Sequence, residues 1–126
     1  MQRCVMVVAV MLAITTAAFA QVQRNFPVAA LRGELVITQP PEVLLNGRPA
    51  RLAPGARIRD ENNLLAQSGA LAQARLPVHY TMDAYGLLFD IWVLNPAERA
   101  RQPWPRTPEE AASWIFDPVG QAWRRP

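Results

Sequence analysis

The sequence has no lysine, one cysteine and one histidine, so its 13 Lys and Arg residues are all arginine. A single cysteine cannot form a disulfide within the chain, and it excludes a zinc site built from several cysteines. A single histidine likewise excludes metal sites with several histidine ligands. The 126 residues are enough for one domain, and a hydrophobic fraction of 51% argues against a wholly disordered chain.

The first twenty residues have the pattern of a secretory signal peptide. A strongly apolar run from Val5 to Ile14 follows one basic residue, and Ala18-Phe19-Ala20 fits the small-x-small cleavage pattern. We therefore predict that residues 1–20 are a signal peptide cleaved after Ala20. The alternative is an uncleaved membrane anchor, because the 17 residues from Cys4 to Ala20 reach the short limit of a spanning helix.

Removal of this segment changes the composition of the working protein. The remaining 106 residues contain no cysteine, and 12 arginines against 10 acidic residues give a net charge of +2. This charge is too small to indicate a polyanionic partner. The signal pattern and the all-arginine composition predict a periplasmic protein of a Gram-negative bacterium, and export makes nucleic acid a poor partner.

The rest of the chain divides into three regions: a short N-terminal lead over 21–30, a strand-rich domain over 31–94, and a tail over 95–126 that is rich in proline and tryptophan. In the central region, short apolar runs between turn signals predict five to seven strands. This pattern predicts a mainly β fold, a small antiparallel β-barrel that is OB-like or SH3-like. Asn46-Gly47 tolerates the two positive φ angles that a type I′ hairpin requires.

The tail contains one helix signature. Thr107 is a candidate N-cap, Pro108 suits the first helical position, and Glu110 suits the third. The sequence predicts a helix over about 108–116, which ends before Asp117-Pro118. Because so short a helix is not stable alone, it must dock on the domain or on a partner.

The last hairpin supplies the only candidate pair for catalysis. Pairing Met82 with Leu87 places eight apolar side chains on one face and sets His79 opposite Asp90 on the other. This pair could be an acid–base dyad or a pH-sensitive pair. The pair lacks an evident nucleophile, and a simple polar cross-strand contact is the favoured explanation. No phosphate-loop, serine-hydrolase or zinc-protease motif occurs, so the sequence gives no positive case for an enzyme, and we expect no cofactor or metal.

Two groups of residues are candidate binding surfaces. The first is the arginine-rich stretch Arg48, Arg51, Arg57 and Arg59, and the second is the set of tail tryptophans Trp104, Trp114 and Trp123. Guanidinium groups suit the phosphate or carboxylate of a lipid headgroup or polysaccharide, although Glu42 is predicted to pair with Arg51. Exposed tryptophans are favoured interface anchors; alternatively, they close the barrel as a lid.

Four segments between Leu31 and Leu94 carry a family resemblance: Leu31-Arg-Gly-Glu-Leu35, Val43-Leu-Leu-Asn-Gly-Arg48, Pro54-Gly-Ala-Arg-Ile-Arg59 and the last hairpin. Through them, this region resembles small, uncharacterised exported proteins of Gram-negative bacteria. The resemblance implies a similar fold and compartment, and it transfers no activity.

These observations predict a secreted, non-catalytic binding or structural module of the cell envelope. Its expected partner is another envelope protein, contacted through the tail or an open sheet edge. One alternative is that the arginine-rich stretch binds an anionic envelope component, which includes the membrane surface. The other is an enzyme that uses His79 and Asp90.

Overall fold

The computed structural model describes residues 23–126, most of which lie in strands and their connections. The predicted signal peptide, residues 1–20, lies outside the described residues, so its cleavage stays a prediction. The strands are β1 (Leu31–Gln39), β2 (Glu42–Leu45), β3 (Arg48–Arg59), β4 (Leu65–Ala66), β5 (Arg75–Met82), β6 (Leu88–Val93), β7 (Ile115–Asp117) and β8 (Ala122–Arg124). The α-helices are α1 (Pro96–Arg99) and α2 (Pro108–Ser113), and a 3₁₀ turn spans Ser68–Leu71.

Six strands form one sheet in the order β2-β1-β5-β6-β3-β4, and an extra pairing of β2 with β3 closes five of them into a ring. The prediction of a mainly β fold is confirmed. The prediction that the strands are all antiparallel is wrong, because β3 and β6 are parallel. β3 and β6 each lie two antiparallel pairings away from β1, so they run in the same direction where they meet.

Local chemistry explains the turn that joins β2 and β3. Asn46 and Gly47 have φ angles of 53° and 78°, the two positive values predicted for this hairpin. The resulting register places Glu42 opposite Arg51, as predicted, and the Arg51 Nε atom lies 3.2 Å from the Glu42 carboxylate. This part of the sheet therefore follows directly from the sequence.

The hairpin of β5 and β6 has a different register from the predicted one. Val78 pairs with Val93 and Tyr80 with Ile91, a shift of two residues. An even shift keeps the same face of β5 towards the core, because side chains alternate with a period of two. The face of β6 is altered by an irregularity near its start, where Leu88 is buried and Phe89 is exposed.

The loop between these strands accounts for one residue of the shift, and the irregularity between Tyr80 and Met82 accounts for the other. The Asp83 carboxylate accepts hydrogen bonds from the backbone N–H groups of Tyr85 and Leu87, at 2.9 and 3.0 Å. Leu87 thereby becomes part of the loop, and Met82 pairs with Leu88 instead of Leu87. A side chain that organises its own turn has displaced the pairing that apolar alternation favoured.

The described residues form two hydrophobic clusters. The main cluster fills the ring with alternate strand residues such as Leu35, Val78 and Ile91. The second cluster combines three regions of the chain: Phe26, Ala30, Leu94, Trp104 and Trp123. The lead and the tail are therefore packed against the sheet, and Trp104 and Trp123 are buried as the lid hypothesis requires.

The tail contains more regular structure than predicted. Helix α2 begins at Pro108, and Thr107 Oγ1 accepts the Glu110 N–H at 3.2 Å, which confirms the predicted cap. The helix ends at Ser113 rather than near 116, because the backbone is extended at Trp114 and then enters β7, which pairs with β8. None of the helices within residues 23–126 has the length and hydropathy that a bilayer-spanning helix requires.

Trp104 should be the tryptophan of the tail on which stability depends most. It is 4% exposed, whereas Trp114 is half-buried, and its indole N–H donates to the Ala30 carbonyl at 2.9 Å. Trp104→Ala should lower the free energy of unfolding by about 3–5 kcal/mol, and Trp114→Ala by less than half of that. Urea unfolding followed by circular dichroism measures both. Equal losses in the two variants would contradict the packing described above.

Candidate functional site

A buried ion pair joins the N-terminal lead to the tail. Arg24 Nε donates to Glu98 Oε2 at 2.9 Å, and its Nη2 donates to the other carboxylate oxygen. The two side chains are 4% and 1% exposed. Arg24 also donates to the carbonyls of Asp60 and Val93, at 2.8 and 2.7 Å. The buried charges are thus both paired and hydrogen-bonded, which offsets the cost of removing them from water.

Helix α1 holds Glu98 in this position. The Asn95 side chain accepts the Glu98 N–H at 2.9 Å, and the Glu98 carboxylate accepts the Asn95 N–H at 3.1 Å, so the two residues form a capping box. Pro96 occupies the first helical position, where its missing N–H has no consequence. The motif Asn-Pro-x-Glu was readable in the sequence, but it was not predicted.

Arg32 connects this buried pair to the sheet. It lies opposite His79 in the pairing of β1 with β5, and its Nε and Nη2 atoms lie 3.3 and 3.1 Å from His79 Nε2. It also donates to the carbonyls of Glu98 and Arg99, at 2.7 and 3.2 Å. Trp104 stacks on the His79 ring with a centroid distance of 4.1 Å. Arg32 is therefore fixed by the sheet, by α1 and by a tail tryptophan.

His79 is a neutral, structural acceptor. Burial, and to a smaller extent the charges of Arg32, Arg24 and Arg101 in that order, together lower its pKa to about 2. Because Nε2 accepts from Arg32, the ring proton belongs on Nδ1, which has no hydrogen-bond partner among the described residues. The ring is fully buried, so it does not face a site where a substrate could bind.

The structure does not bring His79 and Asp90 together. His79 lies opposite Trp92, and Asp90 is in register with Arg57 on β3. The Asp90 N–H donates to the Thr81 hydroxyl at 3.2 Å. The predicted juxtaposition is wrong because it depended on a register that the Asp83 loop and the irregularity between Tyr80 and Met82 together displace. No acid–base dyad is formed by these two residues.

An open cleft of about 620 Å³ lies beside Arg32. We call it the arginine cleft; its lining is Arg32, Gln102, Pro103, Trp104, Arg106, Glu110, Trp114 and Arg125. Apart from Arg32, every one of these residues belongs to the tail. Of the residues that the structure describes, Glu110 contributes the single carboxylate of this lining.

The electrostatics of the arginine cleft are strongly positive. The pKa of Arg32 is lowered to about 10, mainly by burial; the nearby charge of Arg106 also lowers it, Glu98 raises it, and Arg101 adds a smaller lowering. Within residues 23–126, Arg106 and Arg125 form no ion pair with a carboxylate. The Arg125 guanidinium instead lies 5.1 Å from the centroid of the Trp114 ring. Guanidinium groups in this arrangement attract anions.

The arginine-rich stretch predicted as a binding surface does not converge on one cleft. Arg48, Arg51, Arg57 and Arg59 are distributed along β3, which changes register on β6 between Leu52 and Arg57. Arg51 is paired with Glu42. Arg48 lines a shallow depression that it shares with Arg106, so one of the four reaches the border of the arginine cleft.

The three tail tryptophans have different roles. Trp104 and Trp123 are 4% and 5% exposed and belong to the second core cluster. Trp114 is half-buried and lines the arginine cleft. It is therefore Trp114 that combines exposure with an adjacent charged surface. Arg106 and Arg125 accompany tail tryptophans in the sequence, but their convergence with Arg32 on one cleft is created by folding and was not predicted.

The described residues contain no group of three or more His, Cys, Asp and Glu side chains that could hold a metal ion. Comparison with known proteins finds no matching family model, curated protein or solved structure. Function must therefore be argued from the residues of the site itself.

The buried state of His79 predicts how stability depends on pH. The folded-state pKa of about 2 lies below the ordinary value of 6.5, so the unfolded chain takes up a proton first as the pH falls. The stabilising contribution is complete above pH 6.5 and is lost progressively below it, by roughly 2 kcal/mol between pH 6.5 and 5.

Urea unfolding at several pH values measures this loss, and His79→Leu is the matched variant because the sequence has one histidine. The variant should be less stable at pH 7.5 and should lack the steep decline between pH 6.5 and 5. An identical decline in both proteins would show that His79 is not buried in its neutral form.

Proposed function

We propose that the protein is an exported, non-catalytic binding module of the cell envelope, and that the arginine cleft binds an anionic group of an envelope partner. The observation that carries this proposal is the convergence of Arg32, Arg106 and Arg125 on one open cleft that contains one carboxylate. These arginines come from β1 and from two separate parts of the tail.

The three arginines contribute in different ways. Arg32 makes its hydrogen bonds to His79, Glu98 and Arg99, so it supplies a fixed positive charge at one side of the cleft. Within residues 23–126, Arg106 and Arg125 donate no hydrogen bond, so their planar donor groups are free for a ligand. A guanidinium matches a carboxylate or phosphate with two parallel hydrogen bonds.

The fold supports a binding role. Strands β1, β2 and β3 are consecutive, and β5 returns by a long connection to lie beside β1, which is a Greek-key order. β6 then closes the ring against β3. A closed five-stranded Greek-key ring is the arrangement of an OB-like barrel, and we assign this architecture in preference to an SH3-like one. Such barrels carry binding surfaces on a rigid framework.

The cell-envelope assignment rests on the first twenty residues of the sequence. A short basic region, an apolar run and Ala18-Phe19-Ala20 together support export and cleavage after Ala20. An exported protein meets envelope proteins, whose acidic side chains offer the anionic groups that the cleft can hold. The stretch from Arg48 to Arg59 is a poorer candidate, because Glu42 neutralises Arg51.

The proposed function predicts charge-dependent binding that needs the arginine cleft. The probe is a fluorescein-labelled hexaglutamate peptide, with hexaglutamine as its uncharged control. Arg106→Gln combined with Arg125→Gln should weaken hexaglutamate binding about tenfold, which corresponds to about 1.4 kcal/mol. Fluorescence anisotropy at low and high salt measures the affinity, which should fall as salt screens the charges.

The matched control for this variant is Arg57→Gln combined with Arg59→Gln, which removes the same charge from the end of β3, where Arg57 is exposed and Arg59 is half-buried. This control should change the affinity less than twofold. Equal weakening by both double variants would contradict a specific cleft, and so would hexaglutamine binding as tightly as hexaglutamate.

A further inference from the structure

An apolar groove of about 700 Å³ adjoins the arginine cleft, and Trp114 lines both. Val28 of the lead and Ile115 of β7 are exposed in this groove, with Phe116 beside them. No charged side chain from residues 23–126 is part of its lining. The Trp114 ring therefore separates a positively charged surface from an apolar one.

The groove is held open by buried contacts. Its two walls are the lead and the hairpin of β7 and β8, and Gln121 connects them. Gln121 is 5% exposed; its Oε1 accepts the Phe26 N–H at 2.7 Å, and its Nε2 donates to the Pro118 carbonyl at 3.0 Å. Phe116 also packs on Trp123, with ring centroids 4.8 Å apart. A ligand would meet a groove that is already formed, which lowers the entropic cost of binding.

We propose that the ligand is a polypeptide segment in which an acidic side chain lies close to a large apolar one. This inference rests on the proposed function and adds to it the chemistry of the ligand. The carboxylate binds in the arginine cleft, the apolar side chain packs in the groove against Val28 and Ile115, and Trp114 lies between them. In an extended segment, residues two positions apart place their side chains on one face about 6.6 Å apart, so the test peptides carry a glutamate and a leucine at that spacing.

Charge favours a peptide over an anionic lipid surface. Glu110 lines the arginine cleft, and exposed Glu109 and Asp117 belong to the same segment of the tail. A bilayer rich in anionic headgroups carries its negative charge over a wide surface, so it would also approach Glu110 in the cleft itself. A single carboxylate on a peptide meets the arginines and avoids the flanking acidic residues.

The test uses four short labelled peptides that differ at two positions: glutamate with leucine, glutamate with serine, glutamine with leucine, and glutamine with serine. The purified protein should bind the first most tightly. Replacing the leucine by serine should weaken binding about fivefold, and replacing the glutamate by glutamine should weaken it about tenfold. Vesicles of anionic phospholipid are measured alongside.

Substitutions in the protein test whether the acidic side chain of the peptide binds in the arginine cleft and its apolar side chain in the groove. Ile115→Ser should weaken the glutamate–leucine peptide about fivefold and leave the glutamate–serine peptide unchanged. Val119→Ser is the matched control, because Val119 is 92% exposed on the same hairpin and lies outside the groove; it should have no effect on either. Arg106→Gln combined with Arg125→Gln should weaken both peptides equally.

The possible failures are distinguishable. If leucine and serine peptides bind equally while glutamate is still required, the bipartite ligand is wrong and the anion-binding function stands. If glutamine replaces glutamate without loss, both are wrong. The peptide ligand would be overturned in favour of a membrane surface if the protein bound anionic vesicles but no peptide. In that case, Ile115→Ser and Val119→Ser would weaken vesicle binding alike.

Discussion

The buried ion pair between Arg24 and Glu98 is the interaction on which the rest of the structure depends. It joins the lead to the tail, and Arg24 extends it to the carbonyls of Asp60 and Val93. A charge buried without its partner costs about 3–5 kcal/mol, so neither segment can leave the sheet without leaving the other's charge unpaired. The ends of the described chain are thereby made parts of one folded unit.

The same network prepares the arginine cleft. Glu98 fixes α1, and the carbonyls of Glu98 and Arg99 hold Arg32 against His79. Burial is the main cause of the depressed pKa of His79, and the guanidinium of Arg32 adds to it. The neutral ring that results keeps its role as acceptor for Arg32. Arg106 and Arg125 are then presented beside a charge that does not need to reorganise. The hydrogen bonds of Arg32 stabilise the fold, and its positive charge in the lining of the arginine cleft contributes to the proposed function.

Features set by neighbouring residues were predictable from the sequence, and features set by distant ones were not. The Asn46-Gly47 turn and the Thr107 cap are local, and both are found. Alternation of apolar residues correctly predicted that Val78 and Tyr80 face the core, but it cannot choose between registers that differ by two. The Asp83 loop and the irregularity between Tyr80 and Met82 together set the register.

The arginine cleft could not be predicted from the sequence for the same reason. Arg32 and Arg106 are far apart along the chain and are brought together by folding, whereas the dense run from Arg48 to Arg59 extends along one strand.

Native-state amide hydrogen exchange tests this account most directly, because it compares the opening free energy of the tail with that of the ring strands. We predict that the amides of Glu98 and Trp114, donors to Asn95 Oδ1 and the Glu110 carbonyl, exchange through the same global opening as the core amides of β5. Exchange of the tail several kcal/mol more easily than the ring would contradict it.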